Sequence, residues 1–311
     1  MTHRSVRRAL DDSARRSSND RSYDGGALDP HQAIEISGAA LRASITPYGG
    51  YLTGLRIANG RDVVLGHGTA EGRIADRSSL GCLIGRHAGR IRHGVFALDG
   101  WPHQLACNAN DAHLHGGLTG FGAQCWDLVD QGASHVTLAL TSADGHERYP
   151  GALRAQAKTS IVEDAGNGST LRLELSAETD RTTLCNLTWH PYFNLAGHRG
   201  GHVGAHRIEI AADKYLPLAH DLCPTGEIMD VTGTPLDLRS LQRMNVGMVS
   251  PHPQTQLVNG FDHCFLIRGS GLRQAARVIS PDARVAMEVW STQPALQFYT
   301  ANSLQVPHHG K

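Results

Sequence analysis

The sequence predicts an all-β protein built as one large antiparallel β-sandwich. Three observations lead there. Short stretches that alternate apolar and polar residues recur along the chain, the pattern of half-buried strands. Gly, Pro, Asn and Asp clusters separate them at a spacing of roughly 8–12 residues, as in sandwiches and barrels. Convincing helical periodicity is almost absent. That many twisted strands curl into two packed sheets rather than remain one open sheet.

In chain order, residues 1–30 carry Arg4, Arg7, Arg8, Arg15, Arg16 and Arg21 among Ser, Asp and Asn. No hydrophobic stretch follows, so a disordered N-terminal extension is expected rather than a secretory signal. The β domain is expected over 31–311. Strands are expected at 33–37 and 41–46, joined by Ser-Gly, then at 51–57 after Tyr48-Gly49-Gly50, and at 62–65. Segments 94–98 and 101–107 flank Asp99-Gly100, the dipeptide of a tight hairpin turn. Further pairs fall at 126–129 with 135–141, 153–162 with 170–177, and 207–211 with 214–218. An alternating run at 182–187 leads to Trp189-His190-Pro191, and Pro191 stops any central ladder there. Strands at 276–280, 284–289 and 295–300 follow.

Composition excludes some partner classes. The 29 basic and 29 acidic residues give a net charge of zero, which argues against nucleic acid or an anionic membrane surface. No apolar run is long enough to span a bilayer. The six cysteines form no C-x-x-C pair and no repeated spacing, so they are expected to be reduced, mostly buried thiols of a cytoplasmic protein. The 19 histidines are scattered, without metal-ligand spacing. His308-His309 reads as a polar tail.

Five segments hold chemistry-bearing residues. His190, followed by Tyr192, Phe193 and Asn194, offers an imidazole that titrates near neutrality beside aromatic rings. Such rings suit a site that packs an apolar ligand face. Gly85-Arg86-His87-Ala88-Gly89-Arg90-Ile91 could aim a guanidinium into a site. In His113-Leu114-His115-Gly116-Gly117 an extended backbone sends the two histidines to opposite faces, so only one can serve a given site. Asn259-Gly260-Phe261-Asp262 places a carboxylate after a tight turn. The segment from Thr292-Gln293-Pro294 to Asn302 is an aromatic strand with amide side chains. Phosphate-loop, dinucleotide and nucleophile-elbow motifs are absent.

Taken together in this order, the segments resemble the aldose 1-epimerase (galactose mutarotase) family. The matching stretches are GRHAGRI at 85–91, HLHGG at 113–117, LTWHPYFNLAG at 187–197, TGTPLDLR at 232–239, NGFDHCF at 259–265 and EVWSTQPALQFYTAN at 288–302. The resemblance implies a galactose mutarotase-like supersandwich that binds an aldose and needs neither metal nor cofactor. It also implies His190 as the general acid that protonates the sugar ring oxygen. Arg90, His115 and Asp262 are implied as sugar-binding groups, and Gln293 as the glutamine beside the catalytic carboxylate. Some relatives carry Asn at the position of Gly89.

One departure stands out. The family's general base is a glutamate in a late strand, and the corresponding position falls past Lys311; the last acidic residue is Glu288. The C-terminal strands are therefore expected to be missing, with impaired anomer interconversion. The alternatives are an inactive carbohydrate-binding module, and an active variant in which Asp262 or a partner chain supplies the base. The preferred aldose and the oligomeric state are left open by the sequence.

Overall fold

The computed structural model describes residues 29–164 and 168–304. Residues 1–28 of the expected extension, the tip of the 164–169 turn and the His308-His309 tail lie outside the described residues.

The fold is mostly β, and its strand pairs are antiparallel. Ile34–Ser37, Leu41–Ile45 and Leu52–Ile57 form a three-stranded sheet. Asp127–Gly132, His135–Ser142, Leu153–Asp164 and Gly168–Thr179 form a four-stranded meander. Two further four-stranded sheets share the second half of the chain. In one, Arg207–Ile210 lies between Gln242–Arg243 and Arg273–Ile279, which also pairs with Ala286–Ser291. In the other, Ala212–Leu216 lies between Met229–Asp230 and Asp262–Ile267, which also pairs with Ala295–Tyr299. Three short ladders complete the set: Leu83–Ile84 with Thr188–Trp189, Arg90–Arg92 with Ala112–Leu114, and Val95–Leu98 with Trp101–Gln104.

Side-chain alternation explains why these stretches are strands. Along Leu153–Asp164 the buried positions are Leu153, Ala155, Ala157, Thr159 and Ile161, every second residue. Along Asp262–Ile267 they are His263, Phe265 and Ile267, which leaves Asp262, Cys264 and Leu266 on the other face. One apolar core joins all four larger sheets through Ile36, Leu52, Leu138, Leu153, Ile208, Tyr215, Phe265 and Ala276. Burial of such side chains is the main driving force for bringing distant segments together.

Several expectations need correction. Segment 62–65 is not a strand; isolated bridges pair Asp62 with Arg56 and Val64 with Phe193. The alternating run 182–187 is not one either. It lies parallel to 86–88, joined by Asn186 N to Arg86 O at 2.8 Å and Ala88 N to Asn186 O at 2.9 Å, and ladder pairing begins only at Thr188. None of its residues is fully buried, so no buried face selects a strand there. The thiols are all free, but Cys107, Cys125 and Cys185 are exposed, so they are not mostly buried. Three short helices, Ala70–Ile74, Met244–Met248 and Pro253–Val258, were not foreseen. No helix among the described residues is long and apolar enough to cross a membrane.

Candidate active site

His190 follows directly on the two-residue strand Thr188–Trp189, and the backbone around it is pinned on both sides. Its N–H donates to Cys82 O at 3.0 Å, and its carbonyl accepts from Gly81 N at 3.0 Å. The Trp189 indole N–H donates to Gly50 O at 3.0 Å. Beyond Pro191, Tyr192 O accepts from Leu65 N at 2.8 Å, and Asn194 N donates to Val63 O at 2.8 Å. The whole His190 stretch is therefore zipped onto two buried segments, 63–65 and 81–84, which fixes where the imidazole stands.

The half-buried imidazole stacks on the Tyr192 ring, with centroids 5.1 Å apart and planes 29° apart, and meets the His115 ring edge-on at 5.3 Å. Burial pushes its pKa below the ordinary value near 6.5, and the Asp262 and Asp76 carboxylates pull partly the other way.

His115 comes just past the strand Ala112–Leu114, in a left-handed conformation with φ of 54°. Its Nδ1 accepts from Gly89 N at 3.2 Å. Burial, aided by the nearby positive charges of His190, Arg90 and His87, pushes its pKa down to about 3. The ring is thus neutral near pH 7 with its proton on Nε2. His113 points the other way, as the alternation predicts. It is fully buried, bonded through Nδ1 to Ala106 O at 2.7 Å and through Nε2 to Tyr149 OH at 2.7 Å. Glycines make this loop possible: Gly116 has φ of 86°, and a Cβ there would collide with the Gly85 carbonyl oxygen.

The two arginines of the 85–91 segment part company. Arg86 is 1% exposed and is a structural clamp: it donates to Ser142 Oγ at 2.9 Å and to the carbonyls of Ser142, Ala143 and Pro150 at 2.9, 2.8 and 3.1 Å. Arg90, on the strand Arg90–Arg92, is half-buried, and its charge acts on both His115 and Asp262.

Asp262 opens the strand Asp262–Ile267. The helix Pro253–Val258 ends at Asn259, left-handed at φ 53°, and Gly260 turns the chain into that strand. Asp262 Oδ1 accepts from Gln297 Nε2 at 2.7 Å. Burial raises the carboxyl pKa, while the Gln297 hydrogen bond and the charges of Arg90 and His190 hold it down.

Four of the five residues singled out, His190, His115, Arg90 and Asp262, thus form one cluster. Gln293 does not join it. Asp262 pairs with Tyr299 and Leu266 with Ala295, so Gln293, ahead of Ala295, sits in the exposed turn at the far end of the strand. Its carbonyl accepts from Arg273 at 2.8 Å. At a strand rise near 3.3 Å, Gln293 is roughly 13 Å from Gln297. Gln297 is the glutamine beside Asp262, and strand alternation, which sets it on the same face as Tyr299 and Asp262, was the signal that could have found it. Tyr192 and Tyr299, 5.9 Å apart and edge-to-face, complete the aromatic lining.

A mostly β scaffold thus brings together a half-buried imidazole, a neutral imidazole, a guanidinium and a carboxylate. The family model described as aldose 1-epimerase matches residues 32–311. Galactose mutarotase of Bos taurus is 37% identical over 287 residues, covering 90% of this chain and 80% of that protein. Galactose mutarotase of Homo sapiens is 36% identical over 294 residues, covering 92% and 81%. Aldose 1-epimerase of Escherichia coli K12 is 33% identical over 282 residues, covering 88% and 80%. Among solved structures, the galactose 1-epimerase of Lactobacillus acidophilus NCFM superposes with a TM-score of 0.79 at 30% identity, covering 90% of this chain and 81% of that one. The GalM/aldose epimerase homologue of C. elegans gives 0.77 at 27%, covering 86% and 81%. The chain belongs to the aldose 1-epimerase family.

Proposed function

We propose that the chain interconverts the α and β anomers of a hexose such as galactose or glucose by acid–base ring opening. The observation that carries this is the convergence of His190 with three groups suited to sugar hydroxyls: the His115 Nε2–H, the Arg90 guanidinium and the Asp262 carboxylate. His190 gives a proton to the ring oxygen while a base takes the proton of the C1 hydroxyl. The bond between C1 and the ring oxygen breaks, and C1 becomes an aldehyde. After rotation about C1–C2 the oxygen attacks the other face, and both protons return. Electrons and atoms balance within the sugar and its two partners. One positioned acid or base is worth about 10²–10⁴ in rate.

The base side is weaker than the acid side. The carboxylates whose charge acts on His190 are Asp262 and Asp76. Asp76 is occupied, accepting from Ser78 N at 2.8 Å, Leu80 N at 2.7 Å and Tyr51 OH at 3.2 Å. Glu288 lies 3.9 Å from Arg277 and accepts from the Trp290 indole at 3.3 Å, on its own exposed strand face. Of these three, Asp262, with one oxygen held by Gln297, is the carboxylate placed to serve as base. The shared core of the four larger sheets supports taking them as layers of one large β-sandwich.

The tie between Asp262 and Gln297 also favours a second reading, a sugar-binding protein without turnover. Calorimetric titration with galactose and glucose, run beside mutarotation assays, separates the two. Binding with a protein-dependent rate supports the epimerase. Binding without rate supports the second reading, and failure to bind any aldose overturns both.

A further inference from the structure

Resting on the assignment of His190 as the acid, we propose that Tyr192 is a positioning residue for it: the Tyr192 ring fixes the plane of the imidazole and stabilises its protonated form. The stacked geometry places the His190 ring over the aromatic face at 5.1 Å, where the ring quadrupole attracts a cation. Tyr192 is itself rigid. It is 9% exposed, and its hydroxyl donates to Ser78 O at 2.9 Å. Tyr299 meets it edge-to-face, and the strand of Tyr299 also carries Gln297, which holds Asp262. One aromatic pair thereby links the acid to the carboxylate side of the site.

Other groups also face His190. His115 meets it edge-on as a neutral ring, while the Asp262 and Asp76 carboxylates favour a positive charge on His190. Burial disfavours the imidazolium; the backbone hydrogen bond of His190 and the two carboxylates oppose that, and the stacked ring adds to them. The buried Tyr192 phenol, its own pKa raised by burial, stays protonated and serves as an anchor rather than a proton donor.

The test reads the imidazole directly, whether or not the chain turns over sugar. The His190 ring carbon and proton resonances are titrated by NMR in wild type, Tyr192→Phe and Tyr192→Leu. Loss of the ring in Tyr192→Leu is expected to lower the His190 titration midpoint by about 0.5–1 pH unit, the size of a partly desolvated cation–π contact. Tyr192→Phe, which keeps the ring, is expected to shift it by less than about 0.3. A Tyr192→Leu protein with native dispersion and an unshifted midpoint would overturn the proposal. If that variant does not fold, wild type still decides: cross-relaxation between the two rings and an upfield His190 proton are required, and their absence refutes the stacking. A shifted midpoint in a protein without mutarotase activity would leave the role of Tyr192 intact and remove the epimerase assignment alone.

Discussion

At the scale of residues, Gln293 and Gln297 carry the same side chain, yet only Gln297 meets Asp262. Removing it should free the carboxylate and weaken the hydroxyl contacts it organises. Gln297→Leu is expected to weaken galactose binding about tenfold, the worth of one hydrogen bond to a charged group, in a calorimetric titration. Gln293→Leu should stay within about twofold. Equal losses would contradict the placement. The histidines make opposite pH predictions. His115, its pKa pushed down to about 3, is neutral across the working range, so its contact with a hydroxyl should not change between about pH 5 and 8. His190, the proposed acid, has a lowered pKa, so its protonated fraction falls as pH rises. The His190-dependent rate should therefore decline from about pH 6.5 to 8 in polarimetric assays, and a rise over that interval would contradict the assignment.

Among the elements, the segment 84–90 does two jobs. Arg86 clamps it to the 142–150 turn, and Arg90 reaches the site. Arg86→Leu leaves several buried carbonyls without donors, so it should cost about 3 kcal/mol or more, read as a lower midpoint in urea, without touching the chemistry directly. A loss below about 0.5 kcal/mol would show that water replaces the clamp. Much of this level was legible in the sequence. Alternation gave most of the longer strands to within a few residues, because a buried face imposes period two on Leu153–Asp164 and its neighbours. It separated His113 from His115 for the same reason. It misread 182–187, where alternation exists without a buried face, and it missed two-residue ladders such as Leu83–Ile84, which are set by distant partners. That Gln297 rather than Gln293 lies beside Asp262 was not legible, because strand register, a tertiary property, decides it.

For the whole molecule, buried histidines set the response to acid. Burial lowers the pKa of His87, His113, His115, His190, His206 and His263, the last being fully buried and pushed down to about 4. A lowered folded-state pKa means that the unfolded chain binds more protons at mildly acidic pH. The stability these groups allow is complete above about pH 6.5 and is lost as pH falls below it. His263 alone should cost about 2 kcal/mol at pH 5. Thermal unfolding should shift to lower temperature between pH 7.5 and 5, and an unchanged midpoint would contradict the burial of these rings. The fold thus favours the neutral form of these six rings, His190 among them. Polarimetry of freshly dissolved α-galactose with wild type and His190→Gln side by side tests the central claim most directly. A rate above the buffer blank that scales with wild-type protein and disappears in His190→Gln is predicted. A wild-type rate equal to the blank, or a His190→Gln rate equal to wild type, would contradict it.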